Sequence, residues 1–470
     1  MPAVTSAPEL SSLYASSWWL ERPIDEDPPS EGDVRGPLQR DRDRVLHARA
    51  FRCLAGKTQV IGTPWAYNFR NRLTHTLEVN QVGRSLARKH GVDEDLVEAA
   101  CLAHDIGHPP FGHAGERQLN SLMEQFGGFD ANAQTLRALR KLEIKGSGRP
   151  GLNLTRAAFW AVIKYPYRRD GEAPQDGSVP PEDPSLKMGT GGTLVARSRY
   201  LYDVDLEDTV RDGKTFGDWL GDGKLEPRLP PQSRLFAPPP QTLGCQLMQW
   251  ADDVAYAIHD FEDAVLARFI TKGAIRRVHD PLLAAVRREV VPYFDGDDEA
   301  LYGAFGGWER EIESLLERVQ EAIDPEAALR PTTRTWFGKL VDAVRIVAPD
   351  EPDDTTVGYS VDVSRSLRVL VSLLAHLGFE LMIRDERIVR YLRKGAVMLE
   401  RCFNEIAADP KVVDERVGQL VPRHLAVRME TMDERQRART VCDFLASMSE
   451  AGLTHLHATL FETSGGSPFY

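Results

Sequence analysis

Apolar residues recur at three- and four-residue spacing along most of the chain, and that period predicts a mostly α protein. In EDLVEAACLAHDIGH, residues Leu96, Val97, Ala100, Leu102 and Ala103 fall at helical spacing before Pro109-Pro110 stop the helix, which puts His104-Asp105 at a helix C-terminus. The texture is helical from Arg40 to Leu142. It resumes at QTLGCQLMQWADDVAYAIHDFEDAVLARFI and dominates to the end, with amphipathic runs expected at 307–323, 364–383, 385–407 and 434–462. No internal repeat or βαβ alternation is visible. Two segments break the pattern. Residues 1–38 are rich in Ser, Pro and acids without a sustained period, and read as an N-terminal arm packed on the surface or mobile. Residues 171–240 hold ten Pro and nine Gly in 70 positions, too many for packed helices, and read as an insertion or lid with a short strand at LVARSRYLYDVDL. The expected organisation is an arm (1–38), a catalytic core carrying the insertion (39–270) and a helical C-terminal region (271–470) that completes the fold and offers surface for oligomer contacts.

Composition narrows the function classes. With 42% hydrophobic and 27% charged residues, the 470-residue chain has the make-up of a globular protein, not of a disordered or collagen-like one. The longest strongly apolar stretch, Leu370 to Ile383, has 14 residues, short of the roughly 20 that span a bilayer, so no membrane span is expected. Lysine and arginine total 58 against 70 acidic residues, a net charge of −12, so nucleic acid is a partner that the charge does not support, while a local basic pocket for a small polyanion remains open. The N-terminus lacks the basic and apolar regions of a secretory signal. Five widely spaced cysteines with no CxxC fit reduced thiols, and the expected location is the cytoplasm.

Histidine distribution points to chemistry. Five of the twelve histidines (His75, His90, His104, His108, His113) fall within 39 residues, where an even spread would give about one. Histidine and carboxylate are the ligands of a hydrolytic divalent site, and adjacent His104 and Asp105 can both reach one ion. RLTHTLEV places His75 on a helix that could pack beside the His104 helix, and QWADDVAYAIHD offers Asp252 on a third. Asp253 projects about 100° around that helix from Asp252, so only one of the two faces the ion. Three converging helices would supply about four ligands and leave positions for water and a phosphate oxygen. His108, one turn after His104, is expected to orient a ligand by hydrogen bonding. Asp252, Tyr256 and Asp260, at i, i+4 and i+8, share one helix face.

The segments AFRCLAGKTQV (50–60), NRLTHTLEVNQVGRSLA (71–87), CLAHDIGHPPFGHAGE (101–116) and QWADDVAYAIHDFEDAV (249–265), in this order, resemble the HD-domain superfamily and, within it, the deoxyguanosinetriphosphate triphosphohydrolase-like family. The resemblance covers roughly residues 40–165 and 243–270, and more faintly VCDFLASMSE near the C-terminus. It implies a multi-helical HD-domain fold and metal ligation by His75, His104, Asp105 and Asp252, with Mn²⁺ or Mg²⁺ as the expected ion. It implies His113 and Glu116 as the catalytic pair, His113 protonating the leaving oxygen and Glu116 tuning it. Substrate contacts are implied for Arg72, Lys164 and Tyr165 on the phosphates, for Tyr256 and Asp260 on the sugar and phosphates, and for Gln59 near the base or sugar. The implied reaction is hydrolysis of dGTP, or of deoxynucleoside triphosphates more broadly, to deoxynucleoside and tripolyphosphate. Family members form tetramers or hexamers, and an allosteric nucleotide is a further possible partner. Where the family's C-terminal motif usually continues Met-Thr-Asp-Arg, this chain reads Met448-Ser449-Glu450-Ala451 and lacks the arginine. Two other readings stand beside this one: an HD phosphohydrolase acting on a monophosphate, cyclic dinucleotide or guanosine polyphosphate, and a non-catalytic nucleotide or nucleic-acid binder.

Overall fold

A computed structural model describes residues 10, 12–60, 69–145, 149–165, 202–211, 213–221, 241–349, 356, 358–409, 429 and 432–462. Residues 171–201 and 222–240, most of the expected insertion, lie outside that set, as do 1–9 of the arm.

The described residues are mostly helical. The chain opens with α1 (Ser17–Leu20), α2 (Pro37–Leu46), α3 (Arg49–Cys53) and a 3-10 turn, Leu54–Gly56. Then come α4 (Arg72–His90), α5 (Glu94–Ala103), α6 (Gly112–Leu122), α7 (Ala131–Arg137) with a π turn after it, and α8 (Arg156–Val162). Short helices α9 (Asp203–Leu206) and α10 (Phe216–Gly221) precede the long α11 (Leu243–Leu266). The remainder comprises α12 (Lys272–Val290), α13 (Asp298–Glu321), α14 (Pro325–Asp342), α15 (Arg365–Gly378) with a π turn to Ile383, α16 (Glu386–Ala408), α17 (Glu434–Ser447) and α18 (Glu450–Phe461). Among the described residues the strands form three antiparallel pairs: Ile144–Lys145 with Arg149–Pro150, Thr209–Arg211 with Lys214–Thr215, and Arg345–Val347 with Ser360–Asp362.

Local chemistry sets the helix ends that matter. Asn71 and Thr74 form a reciprocal capping box at the start of α4, which ends at Gly91 with φ 72°. Asp93 then caps α5, so three residues turn the chain back and pack α5 on α4. The expected run at 434–462 is two helices, because the Ser449 hydroxyl accepts from the Gly452 amide and starts α18 afresh after extended Met448.

α11 packs against α4, α5, α8 and α15 at the centre of the larger apolar core, which extends in sequence from Leu10 to Met382. The segment Arg365–Ile383 is long and apolar enough to cross a membrane by length and composition, but most of it is buried within this core. A second core joins Phe111, Leu119 and Phe129 to side chains of α16, α17 and α18. Ile106 belongs to the larger core and Phe111 to the second, so residues 106–111 form a seam between them.

Two expectations are corrected. The arm is not merely laid on the surface: Leu10, Tyr14 and Trp19 are buried, and the Tyr14 hydroxyl accepts from the Gly244 amide at the start of α11. Its apolar residues are too few to show a period, yet each is large. The strand expected in LVARSRYLYDVDL is absent from its described part, where Asp203–Leu206 is helical; the hairpin lies later and turns at Gly213, φ 76°. Phe216, Trp219 and Leu220 of the same segment are buried in the larger core.

Arg156 of α8 holds both segments. Its guanidinium lies 4.4 Å from the Trp18 ring centroid and 4.5 Å from that of Trp219, donates to the Trp219 carbonyl at 2.9 Å, and pairs with Glu21 at 2.6 Å. Arg156→Ala therefore removes cation–π, hydrogen-bonding and ion-pair contacts together and is expected to cost about 3–5 kcal/mol, read as a lower urea midpoint with new proteolysis near residues 15–25; an unchanged midpoint would refute the linkage.

Candidate active site

The four expected metal ligands lie where α4, the C-terminus of α5 and α11 converge. His75 projects from the first turn of α4, His104 caps α5, Asp105 follows it, and Asp252 lies in the first half of α11. His75, His104 and Asp105 are buried and offer ligand atoms within 4.8 Å of one another. Asp252 Oδ1 stands 3.1 Å from His75 Nε2 and 3.4 Å from His104 Nε2, and Asp105 Oδ1 is 3.5 Å from His104 Nε2. The structure thus groups His75, His104 and Asp105 and sets Asp252 against both histidines.

Protonation shows what the cluster is suited to hold. His104 Nδ1 lies 2.6 Å from the Cys101 carbonyl, which can only accept, so Nδ1 carries the proton. With Nδ1 committed, Nε2 faces two carboxylate oxygens, and either a proton on it or a cation among the groups offsets their repulsion. Burial disfavours charge on His104, but Asp105 and Asp252 outweigh it and raise its pKa. Burial likewise opposes ionisation of Asp105, yet Arg72 and the nearby histidines hold its carboxyl far below the usual range. For Asp252 the burial penalty is outweighed by Lys164 and His104. Two imidazoles and two ionised carboxylates therefore converge, and this donor set fits a divalent metal.

Each carboxylate has a cation on its outer oxygen. Arg72 Nη1 donates to Asp105 Oδ2 at 2.7 Å, and Lys164 Nζ donates to Asp252 Oδ2 at 2.7 Å. Their inner oxygens stay turned toward the histidines. Arg72 is buried, and its Nε has no protein partner, so this arginine retains donor capacity at the site. Tyr165 follows Lys164, half-buried. His108 Nε2 stands 3.3 Å from Asp105 Oδ1, a position suited to orienting that carboxylate. Burial, followed by Arg72, holds its pKa well below the ordinary value, so its ring is neutral.

His113 is solvent-exposed in the first turn of α6, its ring centroid 5.7 Å from that of His108. Glu116 lies one turn later and accepts from the Ala131 amide at 2.9 Å, so one of its oxygens anchors the start of α7. On α11, burial and then the neighbouring Asp260 push the Tyr256 phenol up. Burial and Asp263 do the same for Asp260, whose buried Oδ2 has no hydrogen-bond partner. Gln59 lines a small recess of about 70 Å³ with His113, Phe379 and Ile388, and its buried Oε1 is also unpartnered. A larger cavity of about 840 Å³ opens elsewhere, on the side of Lys57 that faces Arg49 and Arg52, and its lining includes none of the four ligand candidates.

The sequence reading missed the residues that join these parts. Buried Lys57 donates to the His108 carbonyl at 2.6 Å and the Ala446 carbonyl at 2.9 Å, and burial lowers its pKa to about 8. Buried Glu450 accepts from four donors around the same seam. Both lie in the segments AFRCLAGKTQV and VCDFLASMSE, but an ordinary Lys or Glu codon position gives no hint of burial.

Comparison with known proteins agrees with this geometry. The HD domain family matches residues 72–164, which carry His75, His104, Asp105, His108, His113 and Glu116, and the phosphohydrolase-associated domain matches residues 361–459. The chain is 30% identical to a deoxyguanosinetriphosphate triphosphohydrolase-like protein of Actinobacillus succinogenes, across 95% of this chain and 99% of that one. It is 31% identical to a protein of the same name from Shewanella sp. (strain MR-7), across 96% and 98%, and 29% identical to one from Haemophilus influenzae (strain PittEE), across 96% and 98%. Converging His and Asp side chains, two matched domains and near-full-length similarity together establish that the chain belongs to the deoxyguanosinetriphosphate triphosphohydrolase-like family of HD phosphohydrolases.

Proposed function

We propose that this phosphohydrolase cleaves deoxynucleoside triphosphates, dGTP among them, to the deoxynucleoside and tripolyphosphate. The observation that carries the reading is the set of four ligand candidates with Arg72 and Lys164 behind its carboxylates, one helix turn and a loop away from exposed His113. His75, His104, Asp105 and Asp252 would hold the cation, and the two imidazoles favour Mn²⁺ over Mg²⁺. A divalent ion there supplies Lewis-acid charge stabilisation and lowers the pKa of water.

The protein's own groups do the rest. Arg72 and Lys164 offset the charge of a triphosphate that a net acidic surface would repel. His113, outside the carboxylate cluster and open to solvent, gives a proton to the departing 5′-oxygen, and Glu116 fixes the helix that carries it. Tyr256 and Asp260 lie along the same face of α11 as Asp252, one and two turns further on, where the sugar would rest. Burial raises the Asp260 pKa, and its buried, unpartnered Oδ2 is available to a sugar hydroxyl.

Incubation of Mn²⁺-loaded protein with each dNTP and GTP, followed by chromatography, tests the cleavage position. Nucleoside plus tripolyphosphate is expected; monophosphate plus pyrophosphate would defeat the reading, and turnover of a cyclic dinucleotide or a guanosine polyphosphate alone would favour the other HD chemistry. Asp105→Asn is expected to lower turnover by more than the roughly 10–100-fold typical of an outer ligand-orienting group, and His113→Ala by about 10²–10⁴-fold with metal binding intact. Metal affinity should depend on pH through His104: its raised pKa means that a proton occupies Nε2 first as pH falls, and each unit below that pKa should weaken Mn²⁺ binding about tenfold. A Mn²⁺ dissociation constant equal at pH 6 and pH 8, by electron paramagnetic resonance, would count against ligation by His104.

A further inference from the structure

We propose that Glu450, at the start of α18, is a positioning residue that fixes the backbone carrying Gln59 and His113; the roles of those two residues rest on the function proposed above. The residue is 3% exposed, and both carboxylate oxygens are engaged. Oε1 accepts from the Thr58 amide at 2.9 Å and the Phe111 amide at 3.1 Å, while Oε2 accepts from the Thr58 hydroxyl at 2.5 Å and the Tyr391 hydroxyl at 2.6 Å. Thr58 immediately precedes Gln59, and Phe111 lies two residues before His113. One side chain from the C-terminal region therefore holds the two segments that flank the His113 recess.

The need for such a brace is visible at Phe111. Its φ is 64°, a left-handed conformation that a bulky residue adopts only when its surroundings enforce it. Glu450 takes its amide, and its ring is pressed on Gly395 so closely that a Cβ there would fall 2.2 Å from the ring, with Tyr391 edge-on at 5.3 Å. The backbone of Gly56 approaches Ser449 so tightly that a Cβ on Gly56 would meet the Ser449 Cβ at 2.5 Å, which brings the carboxylate within reach of Thr58. Lys57 crosses the seam in the opposite sense, from the 3-10 turn to the carbonyls of His108 and Ala446. Asp105 and Asp252 are held by their own cations, so loss of Glu450 leaves the metal ligands in place and releases His113 and Gln59.

The test compares Glu450→Ala, Glu450→Gln and Tyr391→Phe with wild type by hydrogen exchange and by kinetics on the Mn²⁺-loaded protein. Glutamine can still accept both amides through its oxygen and donate to both hydroxyls, so E450Q is expected to behave nearly as wild type. E450A should accelerate exchange at residues 56–60 and 110–114, leave α4 and α5 protected, keep Mn²⁺ affinity, and lower kcat about tenfold or more, as small displacements of a reacting group do. Y391F, which removes the Tyr391 hydroxyl donor to Oε2 and leaves both amide bonds of Oε1, should lower kcat by about two- to fivefold with a smaller fall in unfolding midpoint than E450A. Lowered stability in E450A with kcat and KM as in wild type, or faster exchange spread evenly over the protein, would overturn the proposal. So would wild-type kcat in Y391F if E450A does not fold. Wild-type protein inert toward every deoxynucleoside triphosphate would defeat the function reading instead, and the exchange pattern would still decide the brace.

Discussion

Imidazole nitrogens and carboxylate oxygens crowded into one buried space are the constraint around which this protein is arranged. His75 and His104 turn ring nitrogens toward the carboxylate of Asp252, and His104 turns the same nitrogen toward Asp105. Without positive charge between them such groups repel, and burial strengthens the repulsion by excluding water. The Cys101 carbonyl prevents His104 from relieving the conflict by switching tautomer, because it requires a proton on Nδ1. The fold thus maintains an arrangement that positive charge stabilises, whether a proton on His104 or a bound cation.

Arg72 and Lys164 make that arrangement tolerable. A buried carboxylate is costly unless it is paired, and each of the two has a cation on the oxygen that faces away from the histidines. The pairing orients as well as neutralises: a carboxylate fixed at one oxygen cannot rotate, so the other oxygen keeps its aim. The surroundings of the site also separate two kinds of environment. The ligand candidates lie beside the larger core, whereas His113 stands on a helix of the second core and reaches solvent.

Much of this was legible in the sequence. Helical period located α4, α5 and α11, and the double proline located the end of the helix that presents His104. Spacing on α11 put Asp252, Tyr256 and Asp260 on one face, and the structure has them there. The break at Ser449 went unread because amphipathic period continues across it, and only a side-chain cap divides the helix. The arm and residues 202–221 went unread for another reason: composition rich in Pro, Gly and Ser signals an absence of regular structure, but Trp19, Phe216 and Trp219 fill core space from helices of only four and six residues. Lys57 and Glu450 have no periodic signature at all. Their importance arises from contacts across 389 and 392 positions of sequence, which no local pattern encodes.

Arg156 has a consequence for how changes combine. Because a single guanidinium stacks on Trp18 and Trp219 and pairs with Glu21, two peripheral stretches that never touch each other in sequence share one anchor. Loosening either stretch leaves the arginine less well held for the other. Substitutions at the two ends of this sandwich should therefore be non-additive, with an interaction free energy that a double-mutant cycle would resolve, and neither stretch could be trimmed, grafted or diversified as if it were an independent appendage.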